Sequence, residues 1–87
     1  MMKIEEKTGI ADIRGEKESF RVEYYVFKEG DEWGIKAVKL CDGKEKEASS
    51  VGKITPLYEK ALAMAEKLLE HTVTPVCLKD AIENLIC

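Results

Sequence analysis

The chain has 87 residues, of which 45% are hydrophobic and 36% are charged, and its formal net charge is −3 at pH 7. This length suits one domain spanning residues 1–87, and the composition is typical of a folded globular protein rather than a disordered one. Arg14 and Arg21 are the only arginines, and the charges of both signs are spread along the chain. We therefore expect no nucleic-acid partner, because nucleic-acid binders cluster their basic residues.

The cysteines and the lengths of the apolar runs indicate the cellular compartment of the protein. Cys41, Cys77 and Cys87 are odd in number and widely spaced, which does not suit a disulfide framework. Residues 1–7 lack the apolar stretch of a signal peptide, and no run approaches the length needed to span a bilayer. The sequence therefore predicts a cytoplasmic protein with no membrane partner.

The first half of the chain has the two-residue periodicity of β-strands. A strand is expected at about 4–13, and the clearest one lies at about 19–28. Its alternate positions form two sets, one on each sheet face: Phe20, Val22, Tyr24 and Val26, against Arg21, Glu23, Tyr25 and Phe27.

Two further strands are expected at about 33–41 and 45–51. The apolar positions change parity between Ala37 and Val38, and a β-bulge near Ala37 would keep them on one face. Asp42-Gly43 then predicts a two-residue type I′ turn, because both of its central positions need a positive φ. The last strand is polar and charged, as is typical of a sheet edge.

The second half has the periodicity of helices. Thr55-Pro56 and Thr74-Pro75 are N-terminal signals, a capping threonine followed by a proline in the first turn. They predict helices at about 56–70 and 75–86. Cys77 is expected on the inward stripe of the second helix. His71 is expected to cap the end of the first, where a cation is favoured by the helix dipole.

These elements predict an α+β fold, a two-layer sandwich in which an antiparallel four-stranded β-meander precedes a C-terminal helical hairpin, in the order β-β-β-β-α-α. The helices can cover only one face of the sheet. The other face is left to part of the apolar residues, and an apolar patch on a small monomer is a candidate interaction surface. We assign that surface to Tyr25, Phe27, Val38 and Leu40.

Residues with catalytic or metal-binding chemistry form no recognisable motif. No nucleophile or carboxylate stands at the distance from His71 along the chain that a known catalytic motif requires, and the glycines match no phosphate-binding loop. Zinc ligands could be assembled only from the scattered Cys41, His71, Cys77 and Cys87, without a Cys-x-x-Cys pair. We predict no catalytic residue, no metal and no cofactor.

Three segments, Tyr24-Tyr25-Val26, Trp33-Gly34-Ile35 and the residues from Val73 to Leu85, resemble a family of short uncharacterised proteins from anaerobic Gram-positive bacteria. The resemblance covers about residues 20–87. In that family a tyrosine-rich strand and an aromatic-Gly-Ile/Val strand precede a helical end of the form Pro-Val-x-Leu-x-Asp. Cys77 stands where the family often has histidine, which argues against a catalytic role there. The resemblance implies a small bacterial cytoplasmic domain and supplies no mechanism.

The sequence therefore favours a small non-catalytic protein-interaction or regulatory module that binds itself, as a homodimer, or another protein. The alternative is a small-molecule-binding domain or minor enzyme. Its cleft would lie between the sheet and the helix connector, lined by Tyr58, His71 and nearby carboxylates.

Overall fold

Four strands precede two helices in a computed structural model that describes residues 4–14 and 19–86. Cys87 lies outside the described residues. The strands are β1 (Ile4–Arg14), β2 (Ser19–Glu29), β3 (Glu32–Cys41) and β4 (Lys44–Thr55), and the helices are α1 (Tyr58–Glu70) and α2 (Leu78–Ile86), with a 3₁₀ helix at Pro75–Cys77. The predicted α+β class, a four-stranded antiparallel sheet followed by two helices, is confirmed.

Each strand pairs with its neighbour in the chain, in the order β1-β2-β3-β4. The turn between β3 and β4 consists of Asp42 and Gly43, with φ of 54° and 77°. Two consecutive positive φ angles define the type I′ hairpin that the Asp-Gly pair predicts. β4 continues to Thr55, beyond the expected end near residue 51, and it carries a positive φ of 53° at Lys53.

The expected bulge near Ala37 was wrong. β2 and β3 pair in a continuous register from Arg21 opposite Leu40 to Glu29 opposite Glu32. The apolar positions change from odd to even residue numbers for a simpler reason: β3 carries apolar residues on both faces of the sheet. The register shifts lie elsewhere: between Lys7 and Gly9 in β1, and on either side of the central β3–β4 pairing.

One face of the sheet packs against the helices and forms the core. Tyr24, Val26 and Ile35 are completely buried there, in one cluster with the inward positions of both helices. Burial of such side chains is the main favourable term in folding. The buried cluster comprises Val22, Tyr24, Val26, Ile35, Ala37, Ala61, Ala65, Leu68, Leu78 and Ile82.

Helix α1 begins two residues later than the Thr-Pro signal suggests. The Thr55 Oγ1 accepts a hydrogen bond from the Leu57 N–H at 3.2 Å, but Leu57, not Thr55, occupies the N-cap position. The threonine thus satisfies a backbone donor in the turn before the helix, and Pro56 lies in that turn.

The C-terminal end of α1 is closed by backbone hydrogen bonds around Thr72. His71 is the C-cap residue, as expected. The Thr72 N–H donates to the Leu69 carbonyl at 3.1 Å, and the Val73 N–H donates to the Leu68 carbonyl at 3.0 Å. This is the Schellman pattern, and Thr72 has the left-handed φ of 51° at the position that usually holds glycine.

The connector after α1 is fixed to the sheet by Tyr24. Its hydroxyl donates a hydrogen bond of 2.6 Å to the Val73 carbonyl. Burial raises the pKa of Tyr24 to about 12, so the phenol remains a neutral donor at physiological pH. A core side chain of β2 therefore holds the start of the second helical segment in place.

The segment before α2 departs from the sequence prediction. Residues 75–77 form a 3₁₀ helix instead of the first turn of an α-helix, with Pro75 in its first turn. A 3₁₀ helix turns about 120° per residue, which changes the direction of each side chain relative to an α-helical projection. Cys77 is therefore exposed, and its expected position on the inward stripe was wrong.

Candidate interaction surface

The sheet face opposite the helices, called the open face below, contains all four residues of the predicted surface. Tyr25 and Phe27 alternate with the core positions of β2, while Val38 and Leu40 alternate with those of β3. Their exposure differs. Phe27 is only 2% exposed and Val38 7%, whereas Tyr25 and Leu40 are partly exposed. Whether these residues bind a partner remains a prediction.

Phe27 is buried because it lies over glycines. A Cβ atom at Gly34 would come within 2.7 Å of the Phe27 ring, and one at Gly52 would lie 3.7 Å from it. The ring takes up space that a side chain at Gly34 would need, and it lies within van der Waals contact of Gly52. The sequence shows the glycines but not that they meet one aromatic ring, because Gly52 reaches this site only through the irregular pairing of β3 with β4.

Tyr25 is the centre of the polar part of the open face. Its ring lies between two lysines, with the Lys36 Nζ 4.8 Å and the Lys7 Nζ 5.6 Å from the ring centroid. Both distances suit a cation–π interaction. Its hydroxyl donates a hydrogen bond of 2.7 Å to the Glu23 Oε1. The ring is therefore held in one orientation from both sides and at its tip.

The cations around Tyr25 are paired with carboxylates. Lys7 Nζ lies 3.0 Å from Glu23 Oε2, and Lys36 Nζ lies 2.7 Å from Glu5 Oε1. Further along the face, Arg21 Nε donates to Asp12 Oδ1 at 2.8 Å. Exposed ion pairs of this kind contribute little to stability. Their consequence is that positive and negative charges alternate across the open face.

Two pKa shifts follow from this arrangement. The hydrogen bond from Tyr25, helped by Lys7, lowers the pKa of Glu23 below its ordinary value. Burial, and then the hydrogen bond to Glu23, raises the pKa of Tyr25. Glu23 is therefore ionised and Tyr25 neutral at physiological pH, which is the protonation state that the observed hydrogen bond requires.

Ile10 is part of this surface and was missed by the sequence analysis. It pairs with Glu23 on the open face and is 43% exposed. Thr8 is an extra residue in β1 and changes the face on which later residues lie, so simple alternation from the start of the strand misplaces Ile10. A groove of about 440 Å³ borders the face, lined by Asp12, Arg21, Glu23 and Leu40 among other residues.

The alternative cleft is not assembled. Tyr58 begins α1, where its hydroxyl donates a hydrogen bond of 2.6 Å to the Glu6 Oε2. His71 lies at the other end of the same helix and is exposed. The rise of an α-helix places these two residues about 20 Å apart, so they cannot line one small cleft together.

The described residues were also compared with the requirements of a metal site and of a membrane-spanning helix. Within residues 4–14 and 19–86, histidine, cysteine, aspartate and glutamate form no group of three or more that could hold a metal ion. No helix in this described part of the chain is both long and apolar enough to cross a membrane.

Comparison with known proteins gives a family but no activity. The model of a family of unknown function, DUF6514, matches residues 2–87. No curated protein and no solved structure matches the chain.

Proposed function

The chain belongs to the family of unknown function DUF6514, and we propose that it is a small non-catalytic protein-interaction module that docks a protein partner on its open face. One observation carries the proposal. Tyr25 stands partly exposed on a sheet face without a helix above it, and it is fixed by Lys36, Lys7 and Glu23. A rigid aromatic side chain loses little conformational entropy when it is buried in an interface.

The surroundings of Tyr25 favour a protein partner. Protein interfaces combine an apolar centre with a polar rim, and tyrosine is enriched among the residues that dominate their affinity. Here the partly exposed Tyr25, Leu40 and Ile10 supply apolar area, and paired charges surround them. A partner with alternating charges could match this rim without leaving a buried charge unpaired.

The same charges argue against nucleic acid. Aromatic residues on an open sheet can stack on bases when nearby cations bind the phosphates. The side chains of Lys7, Lys36 and Arg21 each contact a carboxylate at 3.0 Å or less. Phosphates would have to displace those carboxylates, so the electrostatic gain that dominates nucleic-acid affinity is largely absent.

The proposal includes the cellular setting that the sequence suggests. We place the module in the cytoplasm of the anaerobic Gram-positive bacteria whose proteins it resembles. Cys77 is a free thiol that is exposed to solvent, which suits a reducing compartment.

A photo-crosslinking amino acid at position 25 or 40 tests the docking surface. Position 63, an exposed alanine of α1, is the matched control on the helical side of the molecule. The crosslinked protein is identified and purified, and its affinity for the wild-type chain is measured by calorimetry. The Tyr25→Ser variant should bind about tenfold or more weakly, as expected for a central interface tyrosine.

Ala63→Ser should bind as the wild type does. Tyr25→Ser is preferred to a change at Phe27, because Phe27 is buried over Gly34 and Gly52 and its loss would destabilise the fold. The proposal fails if positions 25 and 40 capture only what position 63 captures, or if Tyr25→Ser leaves the affinity unchanged.

A further inference from the structure

Strand β1 is an edge of the sheet that is suited to pairing with another strand. Among the described strands it pairs only with β2. It carries two of the exposed large hydrophobic residues, Ile4 at 53% and Ile10 at 43% exposure. The outward backbone groups of such an edge are a template for a further strand. The other edge, β4, has two irregularities in its pairing with β3 and carries Lys44 to Glu47 at its start.

The charges of β1 on the open face follow a symmetric pattern. Glu5 and Lys7 precede the bulge, and Asp12 and Arg14 follow it. All four pair with β2 residues of the open-face set, namely Phe27, Tyr25, Arg21 and Ser19. The order along the strand is therefore acidic and basic, then the bulge, then acidic and basic again.

From this pattern we propose that two copies of the chain pair through β1, antiparallel, about a two-fold axis between Gly9 and Ile10, where the bulges of the two copies meet and interrupt the regular ladder. This arrangement places Glu5 opposite Arg14 of the second copy, and Lys7 opposite Asp12 of the second copy. Each attractive pair occurs twice, because a two-fold interface is isologous. The two four-stranded sheets become one continuous sheet, with both open faces on the same side.

Charge selects this register from its neighbours. The neighbouring registers that still set charges of the open face opposite one another differ from the proposed one by a shift of two residues. One such shift places Glu5 opposite Asp12 of the second copy, and the shift in the other direction places Lys7 opposite Arg14. Like charges directly opposite each other destabilise strand pairing, while opposite charges stabilise it.

The position of Leu62 on α1 independently supports pairing through β1. Tyr58 and Leu69 of α1 both contact β1. The Tyr58 hydroxyl bonds to Glu6, and the Leu69 side chain lies where a Cβ atom at Gly9 would be. Leu62 lies on the same stripe of the helix, is partly exposed, and is not among the described residues packed against the core. In the dimer the two α1 helices would flank the β1 pair, and each Leu62 would gain an apolar neighbour.

The inference goes beyond the proposed function, because it concerns the edge of β1 and names a second copy as its occupant. It is tested by reversing charges at positions that cannot interact within one chain. Glu5 and Arg14 lie nine residues apart on the same strand, about 30 Å at the rise of a β-strand. Any compensation between them must therefore act between two chains.

Sedimentation equilibrium at several concentrations, with reductant present, measures the dimer dissociation constant. We expect Arg14→Glu and Glu5→Arg each to weaken dimerisation about tenfold or more, since each change turns two attractive pairs into repulsive ones. The double variant should restore the dissociation constant to near the wild-type value. Lys44→Glu, a charge reversal on the other edge, should have no effect, and circular dichroism checks that each variant is folded.

A wild-type chain that stays monomeric up to about 1 mM, or a folded double variant that dimerises no better than the single ones, would overturn the inference. Tyr25→Ser separates the two proposals, because it should weaken partner binding and leave the dimer intact. Loss of the dimer in Tyr25→Ser, with dimerisation unchanged in Arg14→Glu, would place the contact on the open face instead.

Discussion

The hydrogen bond between Tyr24 and Val73 allows a sharp test of what fixes the helices to the sheet. Tyr24 is completely buried, and its hydroxyl lies 2.6 Å from the Val73 carbonyl oxygen. Tyr24→Phe removes the hydroxyl and keeps the ring, so the packing of the core changes little. The Val73 carbonyl then loses this donor in a partly buried position.

The expected cost combines the lost hydrogen bond with the desolvated carbonyl, about 1–2 kcal/mol in the free energy of unfolding. For a domain of this size each kcal/mol lowers the melting temperature by about 4–8 °C. Urea denaturation at pH 7 followed by circular dichroism measures the free energy directly, and an unchanged m-value shows that the variant unfolds from the same compact state.

Tyr58→Phe is the matched control. Its hydroxyl also makes a hydrogen bond of 2.6 Å, but to the exposed carboxylate of Glu6, which water can solvate in its place. We expect this variant to unfold nearly as the wild type does. If Tyr24→Phe is no less stable than Tyr58→Phe, then the buried hydroxyl does not hold the connector.

Two further predictions concern the helix end and the open face. Thr72→Gly should stabilise the protein by about 0.5–1 kcal/mol in urea denaturation, because glycine adopts the φ of 51° without the steric cost paid by threonine, and its greater freedom in the unfolded chain cancels only part of that gain. Tyr25→Phe should raise the pKa of Glu23, measured by carbon NMR titration, since the Tyr25 hydroxyl is the main cause of its lowered value.

The sign of the pH dependence follows from the direction of that shift. A lowered pKa means that Glu23 stabilises the folded state above its ordinary pKa of 4.5, and that this contribution is lost as the pH falls through the lowered value. The stability difference between wild type and Tyr25→Phe should therefore be present at pH 7 and shrink in acid. A stability difference that grows on acidification would contradict this account of Glu23. For the helix end, Thr74→Gly is the control, because its φ of −81° gives glycine no advantage. A Thr72→Gly variant no more stable than Thr74→Gly would contradict that prediction.

Much of the architecture could be predicted because its signals are local. Asp42-Gly43 specifies its turn through two positive φ angles, and the alternation in β2 places Val22, Tyr24 and Val26 in the core. The bulge near Ala37 was wrong because it is needed only if all the apolar residues of β3 share one face, and Val38 and Leu40 lie on the open face. Val38 is 7% exposed on the open face, so burial there does not require a helix above it.

The candidate surface was less predictable because it depends on contacts between distant segments. Phe27 is buried where Gly34 and Gly52 lie against its ring, and Ile10 reaches the open face because Thr8 is an extra residue in β1. Cys77 faces solvent because a 3₁₀ helix precedes α2. Each of these outcomes needs a register shift or a change of helix type, which periodicity along one segment does not reveal.

The neighbour-to-neighbour strand order also determines how the chain can fold. Each described pairing joins strands that follow one another in the sequence, so each hairpin closes a short loop at small entropic cost. Such topologies fold faster than those with distant strand pairings. The Tyr24–Val73 bond, which joins residues 49 positions apart, can form only when the helical half docks. We therefore expect the sheet to form early and this bond to mark the last step, so that its loss accelerates unfolding and leaves the folding rate unchanged.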